Sequence, residues 1–168
     1  MLFHTLQVDN GDFHVDKTVA AAPGSTGGTE VALDVTFEPS RLGEQRAMLV
    51  VSSQIGGEYT FPVFGTCIAP KPQGPFMIKA GSTATITFRN VFSSTTAFTF
   101  QVDNPLFHLV KSSENIRSRK DHRISVGFDG NDSGSKAAVM GKLIVTCPRS
   151  AGGNSNVQWV YYLKGVTQ

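Results

Sequence analysis

Apolar and polar residues alternate along most of this chain. Val157, Trp159, Tyr161 and Leu163 fall on one side of such a pattern, with Gln158 and Lys164 on the other. Ile86 and Phe88 alternate with Thr85 and Thr87, and Phe98, Phe100 and Val102 with Thr99 and Gln101. A period of two sends successive side chains to opposite faces of a strand, so each segment predicts a strand with one face inward. No stretch carries apolar residues at helical spacing over three turns. Turn formers separate the runs at Gly56-Gly57, Asp103-Asn104-Pro105, Asn131-Asp132-Ser133-Gly134 and Gly152-Gly153-Asn154. Short strands punctuated in this way, with no helices between them, predict an all-β sandwich.

The pattern occurs twice. Residues 7–17 reappear at 101–111 with Gln, Val, Asp, Asn, Phe, His and Lys in the same places. Downstream, Val31, Leu33, Val35 and Phe37 alternate up to Glu38-Pro39, as Ile124, Val126 and Phe128 do up to Asp129-Gly130. Ala47–Val51 then matches Gly141–Val145. Each copy closes on an aromatic strand ending in glycine, Tyr59-Phe61-Val63-Gly65 and Trp159-Tyr161-Leu163-Gly165. A duplicated module is the direct reading. The second copy has two additional strands in front, around Phe76–Ile78 and Thr83–Asn90, whereas only six residues precede the motif in the first. The expected organisation is a partial immunoglobulin-like sandwich over 1–68, a proline-rich linker over 69–75 and a complete sandwich over 76–168. The first is truncated at its N-terminal side, as in an excerpt from a longer array.

These ordered features resemble the immunoglobulin-like modules shared by major sperm protein, the ASPM/SPD-2/Hydin group and the cilia- and flagella-associated proteins. The resemblance is carried by Pro75-Phe76, Gly81 ahead of Ile86–Asn90, and Asp103-Asn104-Pro105 with Phe107. It continues through Lys120-Asp121 before Ile124–Phe128, Gly141-Lys142-Leu143 and Trp159 through Gly165. It covers nearly all of 72–168 and, less completely, 5–68. Each motif alone is weak, and their order is what is specific. One departure is the proline that follows the phenylalanine strand, kept at Pro39 but replaced by Gly130, which bears on the local turn. The resemblance implies a very large scaffold of the motile axoneme, in its central apparatus, needed for assembly and motility of cilia or sperm flagella. The implied location is cytoplasmic and cytoskeletal. The implied partners are other axonemal scaffold proteins, tubulin and neighbouring modules of the same long chain.

Charge sharpens the division. Residues 1–70 hold three Lys and Arg against eight Asp and Glu, and residues 71–168 hold twelve against five, for net charges of −5 and +7. Opposite signs on successive modules favour contact between neighbours that salt weakens. Each copy has one cysteine, Cys67 or Cys147, so neither can staple its own sheets, and free buried thiols in a reducing compartment are expected. Asn131-Asp132-Ser133 matches a glycosylation acceptor, a triplet common by chance. No apolar run reaches the ~18 residues that a membrane helix needs.

No catalytic set emerges from the polar residues, and the expectation is a protein that is not an enzyme and uses no cofactor. His14 and His108 occupy the same repeat position after phenylalanine, which reads as an inward aromatic followed by an outward polar residue. No Cys or His pair has metal-ligand spacing. The stretch from Gly134 to Gly141-Lys142 departs from a phosphate loop in spacing, in Leu143 and in opening a strand. Pro23–Gly28 reads as a flexible loop, and the nucleophile elbow Gly-x-Ser-x-Gly is absent. Asp9 and Asp103 precede strands and read as turn formers bonding their own backbone. The surface feature that stands out is Arg117, Arg119, Lys120 and Arg123, a basic run suited to acidic tubulin tails, an acidic or phosphorylated peptide, or anionic headgroups. Its plain alternative is a solvated turn that protects a strand edge. Nucleic acid fits poorly, because no aromatics interleave the basic residues. Three classes of function follow: an axonemal scaffold, an adaptor that reads acidic peptides through the basic run, and an enzyme assembled from scattered loops, which the fold alone does not support.

Overall fold

A computed structural model describes residues 2–21, 30–130, 138–148 and 157–167. The loop at 23–28, the turn signals at 131–134 and 152–154 and the Asn131 acceptor triplet lie outside the described residues. Among the described residues every regular element is a strand, and the chain divides into two compact units, Met1–Cys67 and Ile68–Gln168.

The first unit contains β1 (Leu2–Val8), β2 (Phe13–Val15), β3 (Thr18–Ala21), β4 (Val35–Phe37), β5 (Gly43–Ser53) and β6 (Gly57–Cys67). One sheet has the order β3-β1-β5-β6, and β2 pairs with β4 in the other. The second unit contains β7 (Gln73–Lys79), β8 (Ser82–Arg89), β9 (Thr96–Val102), β10 (Phe107–Leu109), β11 (Ser113–Ile116), β12 (Asp121–Phe128), β13 (Val139–Thr146) and β14 (Gln158–Val166). Its sheets have the orders β11-β9-β13-β14-β7 and β10-β12-β8. Without β7 and β8, the two units coincide strand for strand.

Alternation decides the core. Phe98 and Phe100 on β9, Leu143 and Val145 on β13, and Tyr161 and Leu163 on β14 are buried, while their strand neighbours face outward. From the other sheet, Ile86, Phe88, Ile124, Val126 and Phe128 are equally buried. The sheets meet face to face through rings: Phe88 lies 4.8 Å from Phe98 and 5.2 Å from Trp159, both edge-on. Burial of each such side chain contributes roughly 2–3 kcal/mol, and the offset ring geometry adds to it.

A corner is built the same way in both units. The Met48 N–H donates to Asp9 Oδ1 at 2.8 Å, and the Lys142 N–H to Asp103 Oδ1 at 2.6 Å. Asn10 Nδ2 donates to the Arg46 carbonyl (2.9 Å) and Asn104 Nδ2 to that of Met140 (3.0 Å). Each asparagine also accepts from the N–H two residues on, in an Asx turn. So the asparagines close the expected local turn. The aspartates, expected to bond their own backbone, instead reach across to the neighbouring strand and fix its register. Beneath the corner, Phe13 packs on Phe37 at 4.7 Å and Phe107 on Phe128 at 5.0 Å, with the same 31° tilt. The closing glycines explain themselves here. A Cβ on Gly65 would stand 2.6 Å from the Phe37 ring, and one on Gly165 2.5 Å from that of Phe128.

Two expected element bounds need revision. The linker 69–75 is shorter, because Gln73, Gly74 and Pro75 already belong to β7, which pairs parallel with β14. The strand expected to run from Val31 to Phe37 shrinks to Val35–Phe37, whereas β12 runs eight residues along β8. Among the described residues of the first unit no strand takes the place of β8 beside β4, so this segment has no such partner to hold it extended. After that strand Gly130 takes φ +96°, in the left-handed region that proline cannot enter. The turn following Pro39 therefore cannot be of the same type.

Candidate functional site

The basic run forms the turn from β11 into β12. The Lys120 N–H donates to the Arg117 carbonyl at 3.2 Å, closing a four-residue turn with Arg119 at φ 56°. That turn is clamped to the segment after β8 by Asn90, which is completely buried. Asn90 Nδ2 donates to the carbonyls of Ser94 (2.9 Å), Ile116 (2.9 Å) and Arg117 (3.2 Å), and its Oδ1 accepts the Phe92 N–H at 2.9 Å. The Asn90 N–H in turn donates to the Lys120 carbonyl at 3.0 Å.

The four cations therefore differ in role. Arg119 is half-buried, its N–H donating to the Phe92 carbonyl at 3.3 Å and its guanidinium to that of Val91. Arg117 and Lys120 project from the turn as exposed charges. Arg123 is separate, on β12, and lines a cleft of about 260 Å³ with Phe100, Val110, Lys111, His122, Ile124 and Ser125. Asp121 tempers the cluster from the same strand and pairs with Arg89 at 3.5 Å. In the cleft the His122 ring stacks on Phe100 at 5.9 Å. Lys111 Nζ lies 3.0 Å from Glu114, and its hydrogen bond and charge hold that carboxyl below the usual range.

The first unit has a smaller cleft of about 60 Å³ at the corresponding place, lined by Leu6, Asp16, Thr18, Val19, Ala32, Leu33 and Asp34. Leu6 stands where Phe100 does and Leu33 where Ile124 does, so the apolar floor is kept. The charged rim changes sign, from Asp16 and Asp34 to Lys111 and Arg123. Neither cleft was legible in the sequence, because each is bounded by residues from separate strands.

The repeated histidines flank the corner. Phe13 and Phe107 are buried as expected, and His14 and His108 are half-exposed. Each has an unforeseen acidic partner at the end of the phenylalanine strand, Glu38 at 3.4 Å and Asp129 at 3.0 Å. Among the described residues no three His, Cys, Asp or Glu side chains converge as metal ligands would. Cys67 and Cys147 form no disulfide among the described residues, and both are only partly buried, not fully buried as expected. Burial pushes both thiols above the usual range, so less thiolate is present at a given pH. Iodoacetamide at pH 8 is expected to alkylate both several-fold more slowly than in the unfolded chain, the difference narrowing as pH rises. Equal rates in the folded and unfolded chain at pH 8 would contradict the burial.

The fold and its twice-built corner define a tandem pair of all-β sandwich units, the architecture that the resemblance to the ASPM/SPD-2/Hydin group implied. The chain is Hydin-like: it is 52% identical over 161 residues, 96% of its length, to hydrocephalus-inducing protein of Mus musculus. It is 49% identical over the same share to hydrocephalus-inducing protein homolog of Homo sapiens. The matching stretch is 3% of either relative, so the chain corresponds to a small segment of such a protein. The order of motifs is similar to the tandem modules of that protein and of cilia- and flagella-associated protein 47, with a slight lean to the latter. The relatives found are of the former. No protein-family profile matches the chain.

Proposed function

We propose that this chain is a structural and protein-interaction segment, without catalytic activity, of a large cilium-associated scaffold in the axoneme. By the resemblance its place is the central apparatus of motile cilia or sperm flagella, where it serves assembly and motility. The observation that carries this reading is the repeated corner. Of the polar residues that recur between the units, Asp9 and Asp103 and Asn10 and Asn104 are committed to backbone groups, and His14 and His108 pair with the acidic residues Glu38 and Asp129 at the end of the phenylalanine strand. What recurs is thus the means of building the module, and what varies is its surface, as in a scaffold. The similarity to hydrocephalus-inducing protein supports the same reading. Partners in this role are other axonemal scaffold proteins, tubulin and neighbouring modules.

A second reading, an adaptor for acidic or phosphorylated peptides, is favoured by the cationic cleft. Arg117, Lys120 and Arg123 would read the anionic groups, while the half-buried Arg119 holds the turn.

Co-sedimentation of the full chain with microtubules across a salt series tests the tubulin contact. Expected is binding at low salt that weakens with salt, disappears when the acidic tails are removed and is lost in Arg117→Glu/Lys120→Glu. No binding at low salt would remove tubulin from the partners. Binding of a phosphorylated peptide instead, lost in Arg123→Glu, would establish the adaptor reading.

A further inference from the structure

In the second unit the chain changes sheets partway along an edge. β10 pairs with β12 only where Phe107, His108 and Leu109 face Phe128, Gly127 and Val126. Beyond Leu109 the chain leaves β12 and joins the other sheet as β11, against β9. β12 itself extends back to Asp121 and pairs with β8 over its whole length. The stretch Asp121–Ser125 therefore has β8 on one side and, among the described residues, no strand on the other. The opening is made by the path of the chain within the unit, between its own β10 and β11.

Alternation along the strand decides which backbone groups face the opening. The Lys120 carbonyl accepts from the Asn90 N–H on the β8 side at 3.0 Å, and the Asp129 N–H donates to the Leu106 carbonyl on the β10 side at 3.0 Å. Even positions of β12 thus bond toward β8, and the N–H and carbonyl groups of Arg123 and Ser125 point into the opening. The cleft of about 260 Å³ lies along the same stretch. Phe100 and Ile124 form its floor, Val110, 73% exposed, its lip, and Lys111 and Arg123 its charged rim. Open backbone donors and acceptors beside an apolar floor suit the addition of a strand.

We propose that this opening takes an extended segment of a partner protein as a further strand, in line with β10, and that the segment carries an acidic residue between two apolar ones. This mode rests on the adaptor reading of the cleft and adds how the peptide is held. In such a strand alternate side chains face opposite ways. Those opposite His122 and Ile124 turn inward, as the His122 ring does in stacking on Phe100, and two apolar side chains fit that floor. The one between them turns outward with Arg123, where a carboxylate meets the guanidinium across the strands. The nearby carboxylates are already engaged, Asp121 with Arg89 and Glu114 with Lys111.

The test titrates the full chain with the capped peptide Thr-Val-Glu-Val-Thr-Ser and follows amide hydrogen exchange by NMR. With free peptide at about ten times its Kd, exchange of the Arg123 and Ser125 amides should slow roughly tenfold, while His122 and Ile124, already bonded to β8, change little. The same peptide with Lys in place of Glu should give no protection. Ser125→Pro should abolish protection of Arg123, because it removes the open-side N–H at an edge where proline is tolerated; Trp159 fluorescence checks that this variant folds. Arg123→Glu, a surface change, should weaken the peptide independently. Binding that leaves the Arg123 and Ser125 amides exchanging as before would overturn strand addition and leave the adaptor reading standing. Absence of binding up to the solubility of the peptide also overturns the proposal, and the adaptor reading is then decided by the phosphorylated peptide. Protection in the chain alone that rises with its own concentration would make a second copy the occupant, against the partner proposed.

Discussion

Asn90→Ala should lower the stability of the second unit by about 3 kcal/mol or more, the sum of several buried groups left without partners. Asn90 is completely buried and makes four side-chain hydrogen bonds, three as donor to backbone carbonyls and one as acceptor from the Phe92 N–H. Alanine removes all four and offers nothing in exchange, and the Phe92 N–H and the Ile116 carbonyl are left unpaired in the interior. The loss should also release the basic turn, because the carbonyls of Ile116 and Arg117 are held by this one amide. The chain contains a single tryptophan, Trp159, which lies in the second unit and packs on Phe88 and Phe92. Urea unfolding followed by its fluorescence reads the affected unit directly. A shift below about 1 kcal/mol, the size of one ordinary hydrogen bond, would mean that water takes over from the amide.

Phe128→Ala is expected to cost about 4 kcal/mol, within the range for emptying a phenylalanine site in a close-packed core. The ring is fully buried, packs on Phe107 and covers Gly165 so closely that no side chain fits there. The same tryptophan fluorescence measures this loss. Phe37→Ala, its counterpart in the first unit, should cost distinctly less, because the Phe37 ring is only partly buried and solvent can enter the gap. Exchange rates of the Phe61 and Val63 amides report that second value. Equal costs in the two units would show that the first core is as closed as the second.

Much of the fold was legible because strand periodicity and duplication are properties of residue order. Trp159, Tyr161 and Leu163 announced an inward face by spacing alone, and the repeat of Gln-Val-Asp-Asn with Phe-His located the corner. The glycines closing each copy were visible, but their reason was not, since Phe128 and Gly165 are far apart along the chain. Val31–Phe37 misled for the complementary reason. Its alternation is as good as that of Ile124–Phe128, but a strand needs a neighbour as well as a pattern, and among the described residues none stands where β8 lies beside β12. Of the candidate site, the four cations were identified by type and could not be ranked. Arg119 as a clamp, Arg117 and Lys120 as free-standing charges and Arg123 as a cleft residue differ through Asn90, Val91 and Phe92, in another part of the chain. Asn90 entered only as the last residue of the motif Ile86–Asn90, and nothing beside it in sequence marked its side chain as a buried clamp on the basic turn.

The twin clefts carry a consequence for how such repeats change over time. Their floors and the corner beside them use the same residue types in both units, while the rims went from acidic to basic and the modules from −5 to +7. Mutations that rewrite the rim touch none of the atoms that register the strands. A long array of these units can therefore give each repeat its own electrostatic address while every repeat folds by one recipe. Selection for a new partner and selection for a stable sandwich then act on separate residues.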